Sequence, residues 1–224
     1  MIGARAGRGS GQVGHLGSIG RRLFGRLVTA LLLFGFGLDP GLTALNAVTD
    51  PVQGPNLPQF LSELRLSFYH AVDSPKSTEE AIAMIRSAFP SSLETWPPVI
   101  RAYYAALEGL RGKHARGLGK KLGHVMTAIT LMRTLPEDNP GSLEIRFLRF
   151  SLFRQLPLFF GVRSTVGPDL ETLIGMLEKG SDNDVPQAIR RDMVTYLLDC
   201  TEASRDQLGR LRQVRDLLKA PPDP

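Results

Sequence analysis

Apolar residues recur every three or four positions along most of the chain after Asn56, as they do on the buried face of a helix. Between these stretches stand prolines, glycines and short polar joints. The pattern predicts eight amphipathic helices. Their apolar stripes begin at Leu57, Ile82, Ile100, Leu122, Leu143, Leu170, Ile189 and Leu208.

Local signals mark several helix ends. Ser77 with Glu80, and Ser204 with Gln207, have the spacing of a capping box, in which each side chain bonds to an amide of the first helical turn. Pro98 suits the first turn of the third helix, where its missing N–H is no loss. We therefore expect helices to begin at these three places.

The fifth stretch is ambiguous. Leu143, Ile145 and Phe147 alternate with polar residues as in a strand, whereas Phe147, Phe150 and Phe153 keep helical spacing. The stretch is about 14 residues long, which is more than a typical strand. We interpret it as a helix that is apolar nearly all round and therefore central.

The fold class follows from these elements. No stretch reads as a clear strand, and short joints between helices favour antiparallel neighbours. The sequence predicts an all-α fold of packed antiparallel αα-hairpins, with one helical domain over residues 57–220. Residues 48–56 contain two prolines and a glycine and are predicted to be a linker.

Residues 1–47 have the pattern of an export signal. Arginines precede an apolar run over residues 27–38, and a small-residue stretch ends at Ala47. The run is about 12 residues long, against roughly 20 for a membrane span. We expect a cleaved signal peptide, a periplasmic or extracellular protein, and no stable membrane span afterwards. An uncleaved anchor is the alternative, and Arg21-Arg22 leaves the general and twin-arginine export routes open.

Removal of the predicted signal peptide lowers the net positive charge of the chain. The whole chain has 27 Lys and Arg against 22 Asp and Glu, a net of +5. Residues 1–47 hold five of those bases and one acid, so the remainder is close to neutral, and nucleic acid is not an expected partner.

Cys200 is the single cysteine and lies on an apolar stripe. It cannot form an internal disulfide, and we expect a buried thiol.

A basic segment over residues 111–121 carries five Lys and Arg and no acid. Glycines and lysines near a helix start can hold an anion, so Lys113, His114 and Lys120 are candidate ligand-binding residues. The segment is not a nucleotide-binding P-loop, because Lys121 stands where Ser or Thr would bind magnesium. A solvated basic turn is the alternative interpretation.

Three arginines on the central helix, Arg146, Arg149 and Arg154, must pair or reach a polar cleft, because an isolated buried charge is very costly. An ion-pair network is the default interpretation. The functional hypothesis is that Arg146 and Arg149 line one cleft with Lys113 and His114. The candidate carboxylate partners are Glu108, Glu144 and Asp169.

Metal and catalytic motifs are absent from the sequence. His114 continues an apolar stripe, and His124 falls opposite the apolar face of its helix, where we expect it to be solvated. The two histidines lack metal-ligand spacing. We therefore predict no metal, no cofactor and no catalytic residues.

The middle of the chain, roughly residues 95–200, resembles an uncharacterised family of exported bacterial proteins described as tetratricopeptide-like (TPR-like). The resemblance rests on Lys113-His114, on Glu144-Ile-Arg-Phe-Leu-Arg149 and on Leu156-Pro-Leu-Phe-Phe-Gly161. It implies helical hairpins and export, and it carries over no chemistry. A regular 34-residue period is not visible, which favours a compact bundle over an extended solenoid.

These observations predict an exported, non-catalytic helical interaction or scaffold protein of the bacterial cell envelope, with a protein or peptide partner. The alternative is an enzyme or binding protein for an anionic small ligand, using the lysine, histidine and arginine residues named above.

Overall fold

The computed structural model describes residues 55–180 and 184–219, and the predicted signal peptide and most of the predicted linker lie outside them. The described residues form helices and no strand, so the all-α prediction is confirmed. The α-helices are α1 (Leu57–Ala71), α2 (Pro75–Ala88), α3 (Pro98–His114), α4 (Leu118–Met132), the single turn α5 (Leu135–Asp138), α6 (Leu143–Gln155), α7 (Val166–Lys179), α8 (Gln187–Leu198) and α9 (Arg205–Lys219).

Helices that follow one another along the chain pack against each other: α1 with α2, α3 with α4, α6 with α7, and α8 with α9. The α3–α4 pair is antiparallel, since Gly109 faces Ala128 and Gly112 faces Val125. The approach is close: a Cβ on Gly112 would lie 2.8 Å from the Val125 Cγ2 atom. Gly112 therefore lets the two helix backbones come together.

The ambiguous fifth stretch forms α6, as predicted. Ser142 caps its start by accepting a hydrogen bond from the backbone amide of Ile145. Phe150 and Phe153 are almost fully buried, and Leu143 and Ile145 are buried as well. The strand-like alternation of the sequence arose because this helix is covered on more than one side, so apolar residues are not confined to one stripe.

The aromatic residues of α3 belong to the core. The rings of Trp96 and Tyr104 pack edge to face with centroids 5.4 Å apart, and those of Tyr103 and Phe68 do so at 5.3 Å. All but Phe68 are buried. They therefore hold α3 against α1 and its neighbours and present no recognition surface.

One of the two predicted capping boxes forms. The Ser204 amide donates to the Gln207 side chain at 2.9 Å, and the Gln207 amide donates to Ser204 Oγ at 3.2 Å. The box predicted at Ser77 and Glu80 is wrong. Helix α2 begins three residues earlier, with Ser74 as its cap and a proline in its first position, because that proline is already set for a helix start.

The basic segment is mostly helical. Helix α4 begins at Leu118, one turn before the stripe that starts at Leu122, so only residues 115–117 lie outside α3 and α4. Gly117 has φ +88°, a left-handed conformation that favours glycine. This turn reverses the chain between the two helices. Among the described helices, none combines the length and the hydropathy needed to cross a bilayer.

Candidate functional site

A surface cavity of about 290 Å³ lies where α2, the end of α3 and the start of α4 meet. Seven of its nine lining residues are polar or charged, and basic side chains outnumber acidic ones. The lining residues are Pro75, Thr78, Glu79, Arg111, His114, Ala115, Arg116, Lys120 and His124. Of the five residues predicted to bind a ligand, His114 and Lys120 are therefore brought to one cavity.

Lys113 and His114 also tie the end of α3 to the end of α1. The Lys113 ammonium donates to the Val72 carbonyl at 2.6 Å and lies 3.5 Å from Asp73. His114 Nε2 is 3.1 Å from the Ala71 carbonyl oxygen. Each side chain thus satisfies a carbonyl left free at a helix C-terminus.

Arg146 and Arg149 have other surroundings. Both bind Asp169, which is fully buried: Arg149 through Nε and Nη2 at 2.8 and 2.6 Å, and Arg146 through Nη1 at 2.9 Å. Arg149 also contacts Glu137 Oε2 at 2.5 Å. Neither arginine lines the cavity that contains His114. The structure does not bring the two pairs into that one cavity, because α6 directs its arginines toward α7.

Of the three candidate carboxylates, Asp169 is the one that pairs with Arg146 and Arg149. Arg154 instead binds Glu202 at 2.9 Å and the Tyr196 hydroxyl at 3.2 Å. Each of the three guanidinium groups is thus paired with a carboxylate, whereas the Nε atoms of Arg146 and Arg154 are buried without a hydrogen-bond partner among the described residues. The ion-pair network is therefore present, with one partner that the sequence suggested and others that it did not.

Glu144 pairs with a residue that the sequence did not single out. Its two oxygens accept hydrogen bonds from Arg65 Nε and Nη2, both at 2.7 Å, and one of them also accepts from the Tyr103 hydroxyl at 2.5 Å. All three side chains are buried. Burial, together with the Glu144 charge, holds the pKa of Tyr103 well above its usual value. No local signal links Arg65 to Glu144, because they lie 79 positions apart.

Glu108 lies behind the cavity and joins α3 to α4. It is 4 % exposed, and its carboxylate contacts Arg111 Nη1 at 2.9 Å and His124 Nδ1 at 2.8 Å. His124, predicted to be solvated, keeps 33 % of its side chain exposed and is held on one side by Glu108. Because α3 and α4 are antiparallel and close, His124 faces the opposite helix across the contact.

Arg111 is paired with the two glutamates beside the cavity, Glu79 and Glu108. Besides Glu108, it binds both oxygens of Glu79, with Nε at 2.8 Å from Oε1 and Nη2 in close contact with Oε2. This hydrogen bonding lowers the pKa of Glu79. Arg116 and Lys120 differ: both are exposed, and neither forms an ion pair with any residue in the described ranges. They are the available positive charges of the cavity.

A second feature is an exposed apolar turn after α6, formed by the short 3₁₀-helix Leu158–Phe160. Leu158 is 77 % exposed and Phe159 75 % exposed. Pro157 precedes the turn, and Gly161 closes it with φ +69°. The Arg163 guanidinium donates to the Arg154 carbonyl and so fixes the chain after the turn to the end of α6.

Cys200 is buried, as expected. Burial raises the pKa of its thiol to about 12, and Sγ lies 3.3 Å from the Tyr196 carbonyl oxygen. Within residues 55–180 and 184–219, no three His, Cys, Asp or Glu side chains come together as metal ligands.

No protein-family model, curated protein or solved structure matches the chain. The resemblance to TPR-like exported proteins therefore stays a prediction.

Proposed function

We propose that this chain is an exported, non-catalytic helical protein of the bacterial cell envelope that binds a protein partner through the apolar turn Leu158–Phe160. The observation that carries the proposal is the exposure of two adjacent large apolar side chains, Leu158 and Phe159. Large apolar side chains that stand together on a surface often mark an interaction site.

The turn is anchored at both ends. Pro157 restricts the backbone before it, and the Arg163 bond anchors the segment that follows it. The Phe159 and Phe160 rings lie 4.4 Å apart, with Phe160 packed against the core. A preformed turn loses little conformational entropy on binding, which favours recognition of an apolar pocket on the partner.

Site-specific photo-crosslinking in the organism that encodes the protein tests this. A crosslinking residue replaces Phe159 in the full chain, and the control carries the same residue at Leu217, which is 72 % exposed on α9. We expect one heterologous protein to be captured at position 159 and not at 217. Equal capture at both positions, no capture, or capture of a second copy of the chain alone would contradict the proposal.

A substitution measures the contribution of the ring. Burying a phenylalanine side chain contributes about 1.5–3 kcal/mol, and three quarters of Phe159 is available for burial. We therefore expect Phe159→Ser to weaken binding of the captured partner by about tenfold to a hundredfold. Leu217→Ser is the control and should leave the affinity unchanged. An unaltered affinity for Phe159→Ser means that the turn is not the contact.

The exported location has its own test. Intact mass of the protein recovered from periplasmic and extracellular fractions should match a chain that begins near Val48. Full-length protein with Met1, recovered from the cytosol, refutes export while leaving the crosslinking result to stand by itself.

A further inference from the structure

We propose that the cavity between α2, α3 and α4 binds a small phosphate-bearing anion, with Arg116 and Lys120 as its main ligands. This site is separate from the apolar turn and goes beyond the function proposed above.

Charge pairing leaves a positive excess at the mouth of the cavity. Arg111 contacts both Glu79 and Glu108, and His124 contacts the second oxygen of Glu108. These groups hold one another in place, and with one guanidinium against two carboxylates they carry one net negative charge when His124 is neutral. Arg116 and Lys120 add two unpaired positive charges next to these groups. The charged and titratable groups of the site are thus Glu79, Glu108, Arg111, His114, Arg116, Lys120 and His124.

Two adjacent unpaired cations match a dianion better than a single carboxylate. Arginine and lysine are the side chains that bind phosphate oxygens most often, through charge-assisted hydrogen bonds. His114 and His124 add ring nitrogens to the lining. The site therefore has the charge and the hydrogen-bonding groups that a phosphate group requires.

The lining also limits what the phosphate can carry. Its volume of about 290 Å³ exceeds that of a phosphate ion and leaves space for a small organic group. The lining has no Phe, Tyr or Trp on which a nucleobase could stack, and its apolar residues are Pro75 and Ala115. Stacking on such rings is the usual means of holding a base. Free phosphate or a small aliphatic phosphomonoester fits, and a nucleotide does not.

Calorimetric titration of the purified protein with inorganic phosphate and with glycerol 3-phosphate tests the site. We expect Arg116→Gln and Lys120→Gln each to weaken binding about tenfold, the loss of one charge-assisted hydrogen bond. Lys121→Gln is the matched control, since this neighbouring lysine is exposed but does not line the cavity. Absence of binding, or equal weakening by the control, overturns the proposal.

Removing an acid should act in the opposite direction. Glu79 occupies two donors of Arg111, so Glu79→Gln removes a negative charge, keeps one acceptor oxygen and frees one of those donors for the ligand. We expect several-fold tighter phosphate binding, which a general loss of structure cannot produce. Unchanged or weaker binding in this variant counts against the site.

A lipid headgroup carries the same phosphate group. A vesicle flotation experiment distinguishes a lipid ligand from a soluble phosphate ligand. Vesicles of phosphatidylcholine with one fifth phosphatidic acid are mixed with the protein and floated on a density gradient. We expect the protein to remain at the bottom of the gradient, although it binds soluble phosphate in the calorimeter. Flotation with vesicles, without binding of soluble phosphate, overturns the proposal of a small soluble ligand.

Discussion

The buried contact between Arg65 and Glu144 gives the sharpest test of how this fold is held together. It joins α1 to α6 through two hydrogen bonds of 2.7 Å, and the two side chains are 9 % and 5 % exposed. Arg65→Met keeps a side chain of comparable length and removes the charge. Glu144 then keeps only the Tyr103 hydroxyl among its present partners.

The size of the effect follows from desolvation. Removing one partner of a buried ion pair leaves an uncompensated charge and costs about 3–5 kcal/mol of the free energy of unfolding. Glu144→Met should cost a similar amount, because the Arg65 guanidinium is then stranded. In the double variant neither charge remains, and the main loss is the bond to Tyr103, about 1–3 kcal/mol. The double variant should therefore be more stable than either single variant.

Urea unfolding followed by far-ultraviolet circular dichroism measures these differences as a double-mutant cycle. We expect a coupling energy of at least about 3 kcal/mol between the two positions. Arg210→Met is the control, since Arg210 pairs with two glutamates at the surface, where ion pairs contribute little. Additive losses in the cycle, or an Arg65→Met variant as stable as the control, would refute the reasoning.

Two further predictions concern a helix cap and a thiol. Ser74→Ala should lower the free energy of unfolding by about 1 kcal/mol, and Ser77→Ala by clearly less, because only Ser74 caps α2. Urea unfolding measures both losses. A larger loss for Ser77→Ala than for Ser74→Ala would support the cap predicted from the sequence. Because the pKa of the Cys200 thiol is raised to about 12, the fraction of molecules with a thiolate at pH 8 should be about 10⁻⁴. Labelling by a disulfide reagent should therefore be far slower in the folded than in the urea-unfolded protein, and equal rates would contradict the burial.

Helices were predictable where the signal is local. Apolar spacing indicated the eight long helices, and the Ser204 and Gln207 pair marked the start of α9 because both partners of that cap lie within one turn. The start of α2 was placed wrongly for a local reason too. Two serines within four residues offer the same capping chemistry, and the proline after Ser74 decided between them.

The candidate site was predictable only in part. The basic segment and two of the five proposed ligands, His114 and Lys120, line one cavity. The sequence could not show that Glu108 and His124 form its inner wall, because this contact depends on the antiparallel register of α3 and α4. The sequence offered Asp169 as one of three candidate partners for the arginines, and only the structure selects it for Arg149, 20 positions away.

The sequence by itself determined the all-α class and the order of the helices, and it indicated a buried face for most of them. These properties depend on interactions within a few residues, which the spacing of apolar side chains records directly. The tertiary structure alone decided which charge meets which. Arg65 and Glu144 are 79 positions apart, and they meet because α1 and α6 both pack against α3 in the hydrophobic core.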